Sequence, residues 1–279
     1  MGKGKNKRHS DKKRKESLNI GGYSVEELRE SPFQNEEEPR QAEDGEKETK
    51  KQECSKDKEM EVVKNKPFSK AERKIISDFR ASLSDNEYQL KCLWAIQTIE
   101  SKLSMIDVEL KERKERVVIS QVTHRIKSAE SIYRKLERKG YKINLKEAKK
   151  KLNDIIGVRV TCLFQDDVYE IVKCLSLQGD IRIIKEKDYI KEPKETGYQS
   201  LHLIVEVPIY LTKKAEWVRV EIQIRTVAMD FWSVLDYQLL YKKEVKQADE
   251  ISKELKHYAE IIADVDINMM KLRDRILAI

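Results

Sequence analysis

The chain has 279 residues, 39% hydrophobic and 38% charged, with a formal net charge of +7. That length holds one large domain or two small ones, and the polarity is too high for one compact fold throughout. The basic balance suits anionic substrates or partners without specifying them, and no run is apolar enough to span a membrane.

Residues 1–66 hold 17 basic and 16 acidic residues and few apolar ones. Such a segment buries too little apolar surface to offset its chain entropy, so it reads as a disordered, charged N-terminal extension. It starts basic, from Lys3 to Lys15, and turns acidic over residues 26–48. A solvated tail explains this, as does an arm that touches RNA, the ribosome or an acidic partner. No apolar stretch follows the basic start, which argues against a secretory signal.

Order is predicted from Pro67, with N-terminal helices over residues 67–115. Leu90, Leu93, Trp94, Ile96, Ile99, Leu103 and Ile106 recur at helical spacing, the stripe of a core-facing helix. A core of mixed strands and helices follows over residues 116–245. Its predicted elements are a strand at 116–126, a helix at 128–139 ended by Gly140, a basic helical turn at 144–153 and a strand at 155–164. A helix at 166–178 comes next, then strands at 181–188, 199–207 and 217–226, and a helix at 227–241. On the strand at 217–226, Val218, Val220, Ile222 and Ile224 alternate with Arg219, Glu221, Gln223 and Arg225, which is the pattern of a half-buried strand. Residues 246–279 read as one long helix or a helical pair. The fold class is α+β: a mixed sheet of about five strands flanked by helices, with extra helices at both ends.

Cys54, Cys92, Cys162 and Cys174 form no C-x-x-C pair, so they read as free thiols rather than a disulfide or zinc framework. No Walker A loop and no G-x-G-x-x-G occurs. If the chain handles nucleoside phosphates, it does so with side-chain cations and a strand-borne carboxylate.

Polar clusters supply both. Asp154, Gly157 and Arg159 stand on an apolar strand, a pattern that suits a structural ion pair as well as a site. Arg125 and Lys127 share a strand face. Ser131, Lys135 and Arg138 share the face of a helix whose N-terminus suits phosphate, though a solvated basic face explains them equally. Lys187, Tyr189, Lys194, Gly197 and Tyr198 place aromatics among lysines in a Gly/Pro loop, which suits a base with its phosphates. His202 follows on the strand beyond, with Ser200 on its face.

The motifs Arg125-x-Lys127, Asp154-x-x-Gly157-x-Arg159, Lys187-Asp188-Tyr189, Gly197-Tyr198-Gln199-Ser200-Leu201-His202 and Glu221-Ile222-Gln223-Ile224-Arg225-Thr226 closely resemble the RelA/SpoT-type (p)ppGpp synthetase domain. Ala228-Met229-Asp230-Phe231-Trp232 and the C-terminal helices are similar to those of stand-alone small alarmone synthetases, and the likeness covers residues 85–279. The resemblance implies transfer of the diphosphate of ATP to the 3′-hydroxyl of GDP or GTP, giving AMP and ppGpp or pppGpp, without hydrolase activity. It implies ATP contacts from Arg125, Lys127, Ser131, Lys135, Arg138 and Arg159, with the two arginines sandwiching adenine. It implies guanine-nucleotide contacts from Lys187, Lys194, Tyr198, His202 and Gln223, with Tyr198 stacked on guanine. Asp154 and Glu221 are the implied Mg²⁺ ligands and catalytic pair, Glu221 also taking the proton of the hydroxyl. A cytoplasmic homotetramer assembled through terminal helices is implied too. Rival readings are a related transferase acting on an adenine nucleotide or RNA, and a catalytically idle nucleotide- or RNA-binding module. Two positions depart from the small-synthetase pattern: Gln199 where Arg is common, and His124 where Gly is common, which bears on how a nucleotide backbone or effector approaches.

Overall fold

The computed structural model describes residues 19–20, 23–24, 67–212, 214–240 and 248–279. Within the N-terminal extension this comprises β1 (Asn19–Ile20) paired antiparallel with β2 (Tyr23–Ser24). The expectations of disorder and of a nucleic-acid contact there otherwise fall outside the described residues, as does Cys54.

Helix α1 (Lys70–Leu83) starts at a reciprocal cap, in which the Ser69 hydroxyl accepts from the Glu72 N–H and the Glu72 carboxylate accepts from the Ser69 N–H. Helix α2 (Asn86–Lys114) starts at Asp85, whose carboxylate accepts from the Tyr88 N–H. Of its predicted stripe, Leu93, Ile96, Ile99, Leu103 and Ile106 are buried, while Leu90 and Trp94 are half-buried; Cys92 and Leu110 join the buried face. The chain then runs through β3 (Ile119–Ile126), α3 (Ala129–Arg138), α4 (Leu145–Lys151), β4 (Ile156–Cys162) and α5 (Gln165–Ser176). β5 (Arg182–Asp188), β6 (Leu201–Tyr210), β7 (Ala215–Thr226), α6 (Val227–Leu240) and α7 (Ala248–Leu277) complete it. The C-terminal segment is therefore one helix from Ala248 onward. Among the described residues no helix is long and apolar enough to cross a membrane.

The main sheet has five strands in the order β3-β4-β7-β6-β5, and β4–β7 is its parallel pair. This is the mixed α+β sheet that the sequence predicts. One face carries Val158, Val160, Val220, Ile222, Ile224, Leu203 and Val205, and it packs on α2 and α5 as a single core. Each fully buried Leu, Ile or Val there contributes about 1.5–3 kcal/mol. A second cluster joins α1, α3 and Leu152.

β7 corrects the expectation of a half-buried strand. Every residue from Val220 to Thr226 is buried, so its polar row is interior as well. Period-2 alternation records two chemically different faces, not which face meets water. Here α2 and α5 cover the apolar face, and the 189–200 loop with α6 and α7 closes over part of the polar one.

His124 is also placed differently from expectation. It precedes Arg125 on β3, so it points to the opposite face, where its Nδ1 lies 2.7 Å from Glu100 Oε1 on α2. It does not line the polar face.

Gly197 has φ +90°, and a Cβ there would lie 2.6 Å from the Ala259 Cβ of α7. Gly197→Ala therefore meets both a strained backbone and a wall that belongs to a packed helix. We expect a loss of about 1–3 kcal/mol, read as a lower urea midpoint. An unchanged midpoint would show that α7 does not rest on this loop.

Candidate active site

The sheet register assembles the site. Arg159 on β4 pairs with Gln223 on β7, which pairs with His202 on β6, which pairs with Lys187 on β5. Paired residues project to the same face, so these side chains form one row. The neighbouring row runs Arg125, Gly157, Glu221. The Arg125 side chain lies over Gly157, where an added Cβ would meet its Cγ at 3.5 Å, an ordinary contact.

Glu221 is buried and receives two nitrogens. Gln223 Nε2 donates to its Oε2 at 3.0 Å, and His202 Nδ1 lies 3.4 Å from its Oε1. The other ring nitrogen of His202 is 2.8 Å from the Tyr198 hydroxyl. Arg225 donates to that hydroxyl at 3.0 Å and to Gln223 Oε1 at 2.8 Å. Its other terminal nitrogen meets Asp230 at 3.3 Å, and Arg159 meets the same carboxylate oxygen at 3.1 Å. Burial, and then the adjacent Arg225 guanidinium, push Arg159 down to about 9 despite the opposing pull of Asp230. A crowded cation of this kind gains by meeting an anion or an aromatic face.

A second polar cluster lies at the start of β4 and along α3. The Asp154 carboxylate bonds Lys127 and, at 2.7 Å, Lys135. The three side chains are largely buried. Ser131 is less involved than expected: its N–H and hydroxyl both engage the Ser128 hydroxyl at the N-cap of α3. Arg138 lies exposed in the last turn of that helix. The predicted basic face of α3 thus narrows to Lys135 as its inward-turned member.

The loop before β6 is aromatic and cationic, as predicted. Lys194 Nζ sits 4.6 Å from the Tyr189 ring centroid and 4.7 Å from that of Tyr198. Tyr198 is not the open stacking platform the loop suggested. It has no exposed surface and packs with Trp232, Leu255 and Ala259 of α6 and α7. The Trp232 indole N–H donates to the Leu255 carbonyl at 2.9 Å, which ties those helices together over the loop.

Asp230 is the member of this site that sequence reasoning missed. It stands four residues past β7, in the first turn of α6, where an acidic residue reads as a complement to the helix dipole. Its parallel contact with Arg159 and Arg225 depends on the β4–β7 pairing, which sequence spacing does not reveal. Among the described residues no group of three or more His, Cys, Asp and Glu is arranged to hold a metal ion.

A family model described as a region found in RelA / SpoT proteins matches residues 124–246. The GTP pyrophosphokinase YwaC of Bacillus subtilis is 42% identical over 183 residues, which is 66% of this chain and 87% of that one. The crystal structure of small alarmone synthetase 2 from Bacillus subtilis superposes with a TM-score of 0.59 at 40% identity, over 67% of this chain and 96% of that one. Small alarmone synthetase 1 from the same organism, bound to its product pppGpp, gives 0.62 at 31% identity, over 71% of this chain and 97% of that one.

Removing Asp154 should leave two buried ammonium groups without that carboxylate. Asp154→Ala is expected to cost about 3–5 kcal/mol, as for other broken buried ion pairs. Chemical denaturation reads this directly, and a loss below about 1 kcal/mol would show that Asp154 is a weak partner of both lysines.

Proposed function

The chain belongs to the RelA/SpoT family, and from that premise we propose that it transfers the diphosphate of ATP to the 3′-hydroxyl of GDP or GTP, yielding AMP and ppGpp or pppGpp. The observation that carries this reading is the position of Glu221. It is a buried carboxylate held by two nitrogens, between a cationic cluster and an aromatic, lysine-bearing loop. That is the equipment for activating a hydroxyl between two anionic nucleotides.

In this reading Arg125 and Arg159 hold the adenine of ATP, and Lys127 and Lys135 hold its phosphates. Ser131 and Arg138 contribute at the rim of α3. Lys187, Lys194, His202 and Gln223 hold the guanine nucleotide. Tyr198 is the aromatic assigned to guanine, with its hydroxyl anchored to Arg225 and His202. Glu221 accepts the proton as the 3′-oxygen bonds to the β-phosphorus of ATP. The bond from that phosphorus to the α–β bridging oxygen breaks, and AMP departs with the electron pair. The lysines and arginines neutralise the charge that builds on the transferred group, so catalysis is mostly positioning and electrostatics.

The donor set fits Mg²⁺, which takes oxygen ligands and is satisfied by one or two carboxylates plus substrate phosphates. Asp154 and Glu221 would hold it. Bound there, Mg²⁺ supplies charge neutralisation on the phosphates and acidifies the attacking hydroxyl. Asp154 can serve once the phosphates of ATP take over Lys127 and Lys135.

The same reading includes a cytoplasmic homotetramer. Helix α7 exposes Tyr258, Ile261, Val265, Met269, Leu272 and Ile276, each at least 45% accessible. Each lies three or four residues from the next, and together they make one apolar stripe, the pattern of a helix that packs on another helix. Val265→Asp with Met269→Glu should lower the mass measured by light scattering. A tetramer that persists would move the interface elsewhere.

The activity itself is tested by incubating the protein with ATP, Mg²⁺ and GDP or GTP and following AMP and the phosphorylated product. No AMP with either guanine nucleotide sinks the proposal. Glu221→Gln keeps the shape but removes the base, and should slow turnover by about 10²–10⁴-fold while nucleotide binding persists. Chelation of the metal should stop turnover of the unaltered protein.

A further inference from the structure

Arg225 is 1% exposed, the largest of the fully buried side chains, and no role in binding either nucleotide falls to it. Four hydrogen bonds and one ion-pair contact close a ring: Arg225 to Gln223, Gln223 to Glu221, His202 to Tyr198 and Tyr198 back to Arg225 are hydrogen bonds, and His202 Nδ1 stands 3.4 Å from Glu221. Directions around that ring follow from donor chemistry. A guanidinium only donates. It therefore fixes the amide of Gln223 with the oxygen toward Arg225 and the NH₂ toward Glu221. It also donates to the Tyr198 oxygen and cannot accept, so of these two partners only His202 Nε2 can take the phenolic proton. A neutral imidazole that accepts at Nε2 carries its proton on Nδ1, the nitrogen that faces Glu221.

Both nitrogens that meet Glu221 thus present N–H groups because of a single guanidinium two positions away on the same strand face. Without it the amide can flip and the imidazole can take the other tautomer. Either change would set a lone pair against the carboxylate. Asp230 anchors Arg225 from the first turn of α6 and holds Arg159 with the same oxygen. We propose that Arg225, held by Asp230, is the positioning residue of the active site: it sets the donor direction of Gln223 and His202 so that Glu221 is aimed at the reacting hydroxyl. The catalytic part of this proposal rests on the reading of Glu221 as the base; the ring itself does not.

Two measurements test it on the full-length protein. The first does not depend on turnover. Nitrogen-15 NMR of labelled histidine, with the His202 signal identified by its loss in His202→Gln, should show the Nδ1–H tautomer in the unaltered protein. Arg225→Met should convert that signal to a mixture. An Nε2–H signal in the unaltered protein, or an unchanged signal in Arg225→Met, overturns the proposal whatever the enzyme makes.

The second uses AMP release. Arg225→Met should lower kcat by about 100-fold, with KM for ATP changed by less than about threefold, since the lost contacts act on the base. Tyr198→Phe keeps the ring but removes the oxygen, and should lower kcat by about 10-fold. The double variant should fall no further than Arg225→Met alone, because both act through one ring. Arg225→Lys should recover part of the loss, since an ammonium reaches fewer of the partners. Arg116→Met removes a guanidinium that holds buried Asp167 through two hydrogen bonds far from this ring, and should lower stability without changing kcat. An Arg225→Met enzyme with kcat within about twofold of normal, or losses that multiply in the double variant, would reduce Arg225 to a structural cation. A protein with the predicted tautomer but no AMP formation would refute the proposed activity and leave the ring standing.

Discussion

A buried carboxylate is tolerable only with donors around it, and Glu221 sets that condition for this fold. Placed in the interior of a sheet, an ionised carboxylate without partners would cost several kcal/mol or neutralise itself. The structure meets the cost through neighbours on β7, on β6 and in the loop before β6, each of which is itself satisfied by the next. Gln223, His202, Tyr198 and Arg225 are therefore interdependent, and the sheet register that aligns them carries as much of the site as any single side chain. The apolar slab of α2 and α5 on the opposite face holds the strands in that register.

The β4–β7 parallel pair does the rest of the positioning. It sets Gly157 beside Glu221 and Arg159 beside Gln223. Parallel neighbours far apart in sequence thus bring the Arg159 guanidinium within one strand spacing of the Gln223 amide. Antiparallel β3 and β6 flank the pair and add Arg125 on one side and His202 on the other. The polar site is built across the sheet rather than along one loop, which keeps its geometry rigid.

Much of this was legible in the sequence, for identifiable reasons. The α2 stripe and the alternation in β7 are periodicities that backbone geometry imposes, so the helices and strands fall where the sequence predicts them. Gly140 ends α3 with φ +63°, as a helix-terminal glycine should. Burial was harder to read. The polar row of β7 looks solvated because its residues are polar, yet α6, α7 and the 189–200 loop cover it. Tyr198 looks like a loop aromatic open to a base, but its position under α7 depends on a helix more than fifty residues later in the chain. His124 sits beside Arg125 in sequence and on the other face of the sheet, a consequence of strand alternation that its neighbours in the motif conceal. Arg225 was visible as a residue and illegible as a role, because that role consists of bonds to three different elements.

Charge balance explains why two carboxylates outside the Glu221 ring matter. Lys127 and Lys135 converge on Asp154, and Arg159 and Arg225 converge on Asp230. Each pair of cations would repel without its carboxylate, and burial strengthens that repulsion. The two pairs differ in what an incoming nucleotide does to them. In the reaction proposed above, the phosphates of ATP would compete with Asp154 for Lys127 and Lys135. Asp230 holds Arg225 behind the ring, where no phosphate needs to reach. In that proposed reaction, one carboxylate would exchange its cations and the other would keep its guanidinium still.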